Sequence, residues 1–314
     1  MLHLIKISLK KTFFYLLFFF TYLGLTAQQS AIKIPIIIDT DSANEIDDLF
    51  ALVRVLGEPR FQLLGISSAQ FHQSPYATTD TALESHKLNQ ELLELLPQFN
   101  IRLVRGSAQP LKNIKFPQQS EASDFIIQQA KKLPKEQKLH LIILGSCTNI
   151  ASALIQAPEI VNKLQVYYIG FWHDPIQNTY NKKEFNTNND PKATNFLLDF
   201  KDLDFRIMSA TTCQNLVFEK DQTFKNLGEN PLGLYLKNRW LSYKRWWTYK
   251  DPEKRKWIMW DISIIEALAH PEWTEKKFFL TPKENLPRKV QIYTFIDTLK
   301  MKNDFWQHYN RLLP

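Results

Sequence analysis

The chain has 314 residues, 44% hydrophobic and 23% charged, which suffices for one large globular domain with a full core. No Gly/Ser/Pro-rich linker, low-complexity tract or internal repeat divides it. The formal net charge of +7 falls to +4 without residues 1–27, which hold three lysines and no acid; with no Lys/Arg block interleaved with aromatics, this mild balance excludes a nucleic-acid-binding stripe.

At the N-terminus Lys6, Lys10 and Lys11 precede an apolar run from Thr12 to Leu25, followed by Thr26-Ala27-Gln28-Gln29. A basic start, a short apolar stretch and a small residue predict a secretory signal peptide over 1–27, with a single domain over 28–314. The expected destination is the periplasm or the medium. The run is short for a bilayer span of about 20 residues, an uncleaved anchor being the alternative, and no cysteine near it invites lipidation.

From residue 34 onward, apolar runs alternate with helical periodicity. Strands are expected at 34–38, 61–67, 101–104, 139–144, 164–170 and 204–208. Helices are expected at 46–56, 77–96, 120–132, 149–156 and 190–199. This alternation predicts an α/β fold, a mainly parallel sheet with helices on both faces. Beyond residue 215 the pattern turns mainly helical, with Trp240, Trp246, Trp247, Trp257 and Trp260 close together. A late apolar run at 289–295 is expected as an edge strand. Lys250, Lys254, Arg255 and Lys256 are interspersed with Asp251 and Glu253 and read as a solvated face. The two cysteines, Cys147 and Cys213, each follow an apolar strand; a disulfide and two buried thiols are equally compatible with the sequence.

The densest chemistry follows the first strand: Asp39-Thr40-Asp41-Ser42-Ala43-Asn44-Glu45-Ile46-Asp47-Asp48. The carboxyl end of a buried parallel strand is where α/β sheets place ligands. So many acids in one turn repel one another and call for a hard divalent cation with oxygen ligands. Helix capping accounts for one or two acids, not five. An EF-hand loop is excluded, since Asn44 stands where Gly is needed and Phe50 where Glu is needed. A haloacid-dehalogenase-type phosphotransferase also opens with a strand and Asp-x-Asp, but Ala43 stands where that pattern wants Thr or Val.

Three further segments stand out. Leu144-Gly145-Ser146-Cys147-Thr148-Asn149 is a strand-to-helix turn. Asn178, then Glu184-Phe185-Asn186-Thr187-Asn188-Asn189-Asp190-Pro191, puts amides beside a carboxylate, good partners for sugar hydroxyls that both donate and accept. Trp260-Asp261 opens an apolar helical run.

Together these four segments resemble the nucleoside hydrolase family, the inosine-uridine-preferring type and its relatives, from about Ile34 to Trp273. Leu63-Leu64-Gly65-Ile66-Ser67-Ser68, Val104-Arg105-Gly106-Ser107-Ala108-Gln109-Pro110-Leu111 and Val166-Tyr167-Tyr168-Ile169-Gly170 add to the resemblance. It implies calcium-dependent hydrolysis of the N-glycosidic bond of a ribonucleoside. Asp41 would touch the ion and accept the proton of the attacking water. Asp48, Asp261 and the backbone carbonyl of Thr148 would complete the metal shell. Asp47, Asn178, Glu184 and Asn186 would hold the ribose. The implied partner is a small-molecule nucleoside; a homo-oligomer stays open. The alternatives are a non-catalytic calcium- and sugar-binding protein on the same fold, or a hydrolase of another riboside.

The chain departs from the family pattern twice. Ser42-Ala43-Asn44-Glu45-Ile46 is longer than the usual spacing between the second Asp and the paired aspartates, which brings Asn44 and Glu45 toward the site. Trp260 stands where many members carry the His that protonates the leaving base. Stacking on Trp260 would favour the larger purine surface; His72 and His173 are the other candidate acids.

Overall fold

The computed structural model describes residues 33–313, so the expected signal peptide lies outside the described residues. The chain runs β1 (Ile34–Thr40), α1 (Asp47–Val55), β2 (Phe61–Ser68), α2 (Thr81–Glu94), β3 (Leu103–Arg105), α3 (Glu121–Lys132), β4 (Leu139–Ile143) and α4 (Thr148–Gln156). It continues with β5 (Leu164–Ile169), the short pair β6 (Trp172–Asp174) and β7 (Thr179–Asn181), α5 (Phe185–Asn189), α6 (Pro191–Asp199), β8 (Asp204–Met208) and α7 (Ala210–Cys213). The last third holds β9 (Val217–Glu219), α8 (Lys220–Leu227), α9 (Pro231–Ser242), β10 (Lys256–Ile258), α10 (Ile262–Ala269), β11 (Thr274–Leu280), β12 (Lys289–Ile296) and α11 (Thr298–Leu312).

Eight strands form one sheet in the order β11-β12-β8-β5-β4-β1-β2-β3. All neighbours are parallel except β11 and β12. The chain steps outward from β1 to β2 and β3, then returns to lay β4 on the other side of β1. Strand order therefore reverses beside β1, and the crevice at the carboxyl ends of β1 and β4 is a topological switch point.

The side-chain alternation of β1 explains the two cores. Ile36 and Ile38 join one buried cluster with Leu49, Phe50 and Val53 of α1, Ile264 and Ile265 of α10 and Phe305 of α11. Ile37 joins the cluster on the opposite face, with Ile126, Ile150, Leu154 and Leu197 from α3, α4 and α6. Cys147 lies in the second cluster and Cys213 in the first, both as free thiols. No disulfide joins them.

Much of the tryptophan-rich segment is packing. Trp240 and Trp257 are fully buried, with ring centroids 5.2 Å apart, and Trp240 meets Phe50 of α1 at 6.4 Å. Their indole N–H groups are satisfied, as buried Trp requires: Trp240 Nε1 donates to the Lys254 carbonyl at 2.9 Å and Trp257 Nε1 to Glu45 Oε2 at 3.0 Å.

Three expectations are corrected. The run at 289–295 is not the edge: β12 is flanked by β8 and β11, and β11 is the edge strand. The long helix expected from 77 starts at Thr81, because the Asp80 side chain caps it by accepting from the Leu83 amide at 2.9 Å. The segment after 215 is less helical than expected: beside its helices and the late strand β12 it carries β9, β10 and β11. Among the described residues no helix is long and apolar enough to cross a membrane.

Candidate active site

A cavity of about 660 Å³ opens over the switch point, within the range of small-molecule sites. Its lining includes Asp41, Asn44, Glu45, Asp47 and Asp48 from the end of β1 and the start of α1. Glu184 and Asn186 line it from the α5 turn, and Trp260 and Asp261 from the entry to α10. Residues distant in the chain, such as Asp41 and Asp261, thus meet because β1 and β5 end, and α10 begins, at one rim of the sheet.

The loop between Asp41 and Asp47 is tethered from several directions. The Asn44 amide closes a turn on the Asp41 carbonyl at 2.7 Å. Ser42 Oγ donates to Asn89 Oδ1 of α2 at 2.5 Å, and Glu45 takes the Trp257 indole N–H. Glu45 lines the cavity as a half-buried acid, and burial pushes its carboxyl up to about 7.

Carboxyl oxygens of Asp47, Asp48 and Asp261 converge within 4.8 Å of one another, all buried. Burial, and then repulsion from Asp48, pushes Asp41, Asp47 and Asp261 well above the ordinary carboxylate range. Burial holds Asp48 at about 7, opposed by hydrogen bonds from Thr40 and Asp261. Asp41 Oδ2 is buried and makes no hydrogen bond. An orphaned carboxyl oxygen beside three convergent acids is a costly arrangement in water-free surroundings, and a divalent cation with oxygen ligands fits it. Asp47 belongs to this geometric trio, whereas the sequence points to Asp41 for the shell and Asp47 for the sugar. Gly145 lets Asp41 in: a Cβ there would stand 3.0 Å from Asp41 Cβ and Cγ and 2.9 Å from Ala69 Cβ.

Asp39, one turn of the pleat earlier, is not at the cavity. It accepts from Ser67 Oγ at 2.5 Å and from Asn149 Nδ2 at 2.8 Å, which ties β1 to β2 and to the start of α4. Burial raises it to about 7.

Of the residues expected to hold a ribose, Asp47, Glu184 and Asn186 line the cavity. Asn186 Nδ2 donates to the carbonyls of Leu144 at 2.6 Å and Ile169 at 3.1 Å, which leaves its Oδ1 for a ligand. Glu184 is committed to the fold: it accepts from the amides of Phe171, Asn186 and Thr187 and from Thr187 Oγ1. Asn178 does not line the cavity. It turns the β6–β7 hairpin with φ 49°, bonds His173 Nε2 through Oδ1 at 3.1 Å, and donates to the Leu280 carbonyl at 3.1 Å. Thr148 also falls outside the lining; its hydroxyl donates to Asp190 Oδ2 at 2.7 Å. Neither His72 nor His173 reaches the cavity; His173 is buried against Tyr180 and Phe279, and burial lowers its pKa.

The sequence missed much of the apolar wall. Trp172 stands edge-on to Trp260, centroids 5.9 Å apart at 88°, and both line the cavity. Tyr76, Trp247 and Tyr249 line it as well. Trp172 belongs to the three-residue β6, Trp247 and Tyr249 to a single 3-10 turn and Tyr76 to a loop, all too short for a periodic signal, so only aromatic content marked them.

Comparison with known proteins agrees with this geometry. The family model for inosine-uridine preferring nucleoside hydrolases matches residues 36–299. The pyrimidine-specific ribonucleoside hydrolase RihA of Shewanella oneidensis is 28% identical over 185 residues, 52% of this chain and 55% of that protein. The chain thus spans about half the length of the curated relatives it matches. Among solved structures, the purine-preferring ribonucleoside hydrolase from Gardnerella vaginalis superposes with a TM-score of 0.70 at 18% identity, covering 88% of this chain and 98% of that one. A plant nucleoside hydrolase, PpNRh1, gives 0.69 at 15% identity with the same coverage. With the fold shared across nearly whole chains and the family match running from β1 into α11, this chain belongs to the inosine-uridine preferring nucleoside hydrolase family.

Proposed function

We propose that the protein hydrolyses the N-glycosidic bond of ribonucleosides, releasing base and ribose, with one calcium ion at the carboxylate cluster. The observation that carries this reading is the orphaned Asp41 Oδ2, buried beside the convergent Asp47, Asp48 and Asp261 on the floor of a nucleoside-sized cavity. Asp48 and Asp261, with Asp41 and Asp47 flanking them, are the residues that would hold the ion. Bound there, the ion would supply fixed positive charge at the floor of the site. Calcium acidifies water only modestly, so a carboxylate base is still needed; Asp41 takes the water proton at Oδ2. Asp47 and Asn186 orient the ribose hydroxyls, which makes attack at the anomeric carbon nearly unimolecular. Departure of the base builds positive charge on the sugar, and the surrounding carboxylates stabilise it.

The leaving base rests against Trp260 and Trp172. Their perpendicular pairing offers one flat face and one edge, which favours the larger purine surface. Residues 1–27 support export to the periplasm or medium before the enzyme meets its substrate.

Purified protein incubated with purine and pyrimidine nucleosides, with and without calcium, tests the reading through chromatography of the released base. Release that needs calcium is expected. Calcium binding with no release from any nucleoside would favour a non-catalytic calcium- and sugar-binding protein.

A further inference from the structure

The carboxylate cluster is built on two helix starts. Asp47 and Asp48 open α1, and Asp261 immediately precedes α10. Neither helix start is held by a side-chain cap. The two helices share an apolar cluster, Leu49, Phe50 and Val53 on one and Ile264 and Ile265 on the other, and apolar contact alone does not fix their register.

About two turns along α1 stands Arg54, whose side chain is fully buried. Its Nε donates to Glu266 Oε1 of α10 at 2.6 Å and its Nη2 to Glu266 Oε2 at 3.2 Å. Nη1 donates to Glu58 at 2.8 Å and Nη2 to Asp304 of α11 at 2.5 Å. A guanidinium gripped by both oxygens of one carboxylate fixes orientation as well as distance. A buried ion pair adds little net stability over apolar side chains of the same volume, so stability alone does not account for placing one here. The acids Glu266 and Asp304 converge with His270 closely enough for a second metal centre. The Arg54 guanidinium already occupies both carboxylates, so that cluster is an ion-pair knot.

We propose that Arg54 is a positioning residue for the carboxylate cluster: by clamping α1 to α10 through Glu266, it holds Asp47 and Asp48 at fixed spacing from Asp261. Its consequence for calcium rests on the metal reading above; its consequence for helix geometry does not.

The test compares the full chain with the double variant Arg54→Met, Glu266→Leu. Removing both partners leaves Glu58 paired with Arg60 at 2.6 Å, and it leaves Asp304 at a site where its side chain is 14% exposed to water. Arg54→Lys, which retains a charge and loses the fork, is the second variant. Hydrogen exchange is followed in metal-free protein at amides 51–53 and 265–267, which bond to the carbonyls of the two helix starts. Exchange at least tenfold faster at both sets is expected in the double variant, with the amides of α6 unchanged. Calcium titration by calorimetry should show affinity weakened at least tenfold, with Arg54→Lys in between. Unchanged exchange at both helix starts overturns the proposal, as does a double variant that binds calcium within twofold of the parent. A parent that binds no calcium removes the metal reading, and exchange alone then decides.

Discussion

Acidifying the solution should weaken calcium binding by at least about fiftyfold between pH 7 and pH 5. The argument starts from Asp48, whose carboxyl burial holds at about 7 against an ordinary 3.8. Below pH 7 the metal-free fold therefore keeps a proton there, and a metal ligand must give it up. For each proton expelled, affinity falls tenfold per pH unit below 7 and is flat above it. Asp48 is already half protonated at pH 7, so the two units amount to about fiftyfold, or about 2.3 kcal/mol, for one proton. Asp41, Asp47 and Asp261 are pushed upward too, so about fiftyfold is the lower end. The same shift acts on stability. An acid raised in the fold stabilises the metal-free protein below pH 3.8, and that contribution is lost as pH climbs through 7. Buried His140 and His308, lowered from 6.5 to about 4, act oppositely: their stabilisation is present above 6.5 and lost as pH falls through 4. Those histidines lie outside the cavity and act equally with or without the ion. The calcium-induced rise in Tm therefore isolates the cluster, and it should grow from pH 5 to pH 8. Calorimetric titration in two buffers of different ionisation enthalpy counts the released protons. An affinity that changes less than threefold over this range, with no proton release, would refute the reasoning.

Asp41→Asn keeps the shape and removes the proton acceptor, and turnover should drop at least about a hundredfold; a rate within a few-fold of the parent would reassign the base. Trp260→Ala should cost about tenfold or more in purine turnover, on a stacking scale of about 1–3 kcal/mol, and clearly less with a pyrimidine nucleoside. Equal losses on both nucleosides would sink the stacking idea. Trp240→Ala should instead unfold in denaturant at about 3–5 kcal/mol lower stability, because that indole is wholly inside the core. Gly145→Ala would press a methyl against Asp41 and Ala69, and turnover measured on folded protein should fall at least about tenfold through misplacement of Asp41. Parental turnover there would show that the close approach is incidental.

The parts of the molecule legible in the sequence are those governed by local patterning. The Ile-rich run of β1 ending in acids has one strong reading, and the sheet confirms it. Asp190-Pro191 marks a helix start by its chemistry, and Asp190 Oδ1 does accept the Ala193 amide at 2.9 Å. What stayed hidden depends on partners distant in the chain. β11 carries Glu275, Lys276 and Lys277 and is largely exposed, so its apolar run is only Phe278-Phe279-Leu280, too short to mark a strand; pairing with β12 makes it one. β9 and β10 are three residues each, below any periodicity. Asn178 matched a pattern by spacing, yet its amide is spent on His173 and Leu280 at the hairpin. The Arg54–Glu266 pair spans 212 positions, and nothing near either residue announces it.

The placement of the two cysteines has a practical consequence. Cys147 and Cys213 are wholly inaccessible and sit on opposite faces of the sheet, and burial pushes the Cys213 thiol up to about 12 and Cys147 higher than its ordinary range. Since the thiolate is the reactive form, a maleimide should leave both untouched in the folded protein and modify them only on opening. Each half of the core therefore carries its own built-in reporter. Peptide mapping of the two labelling rates would tell whether the halves open together or one before the other.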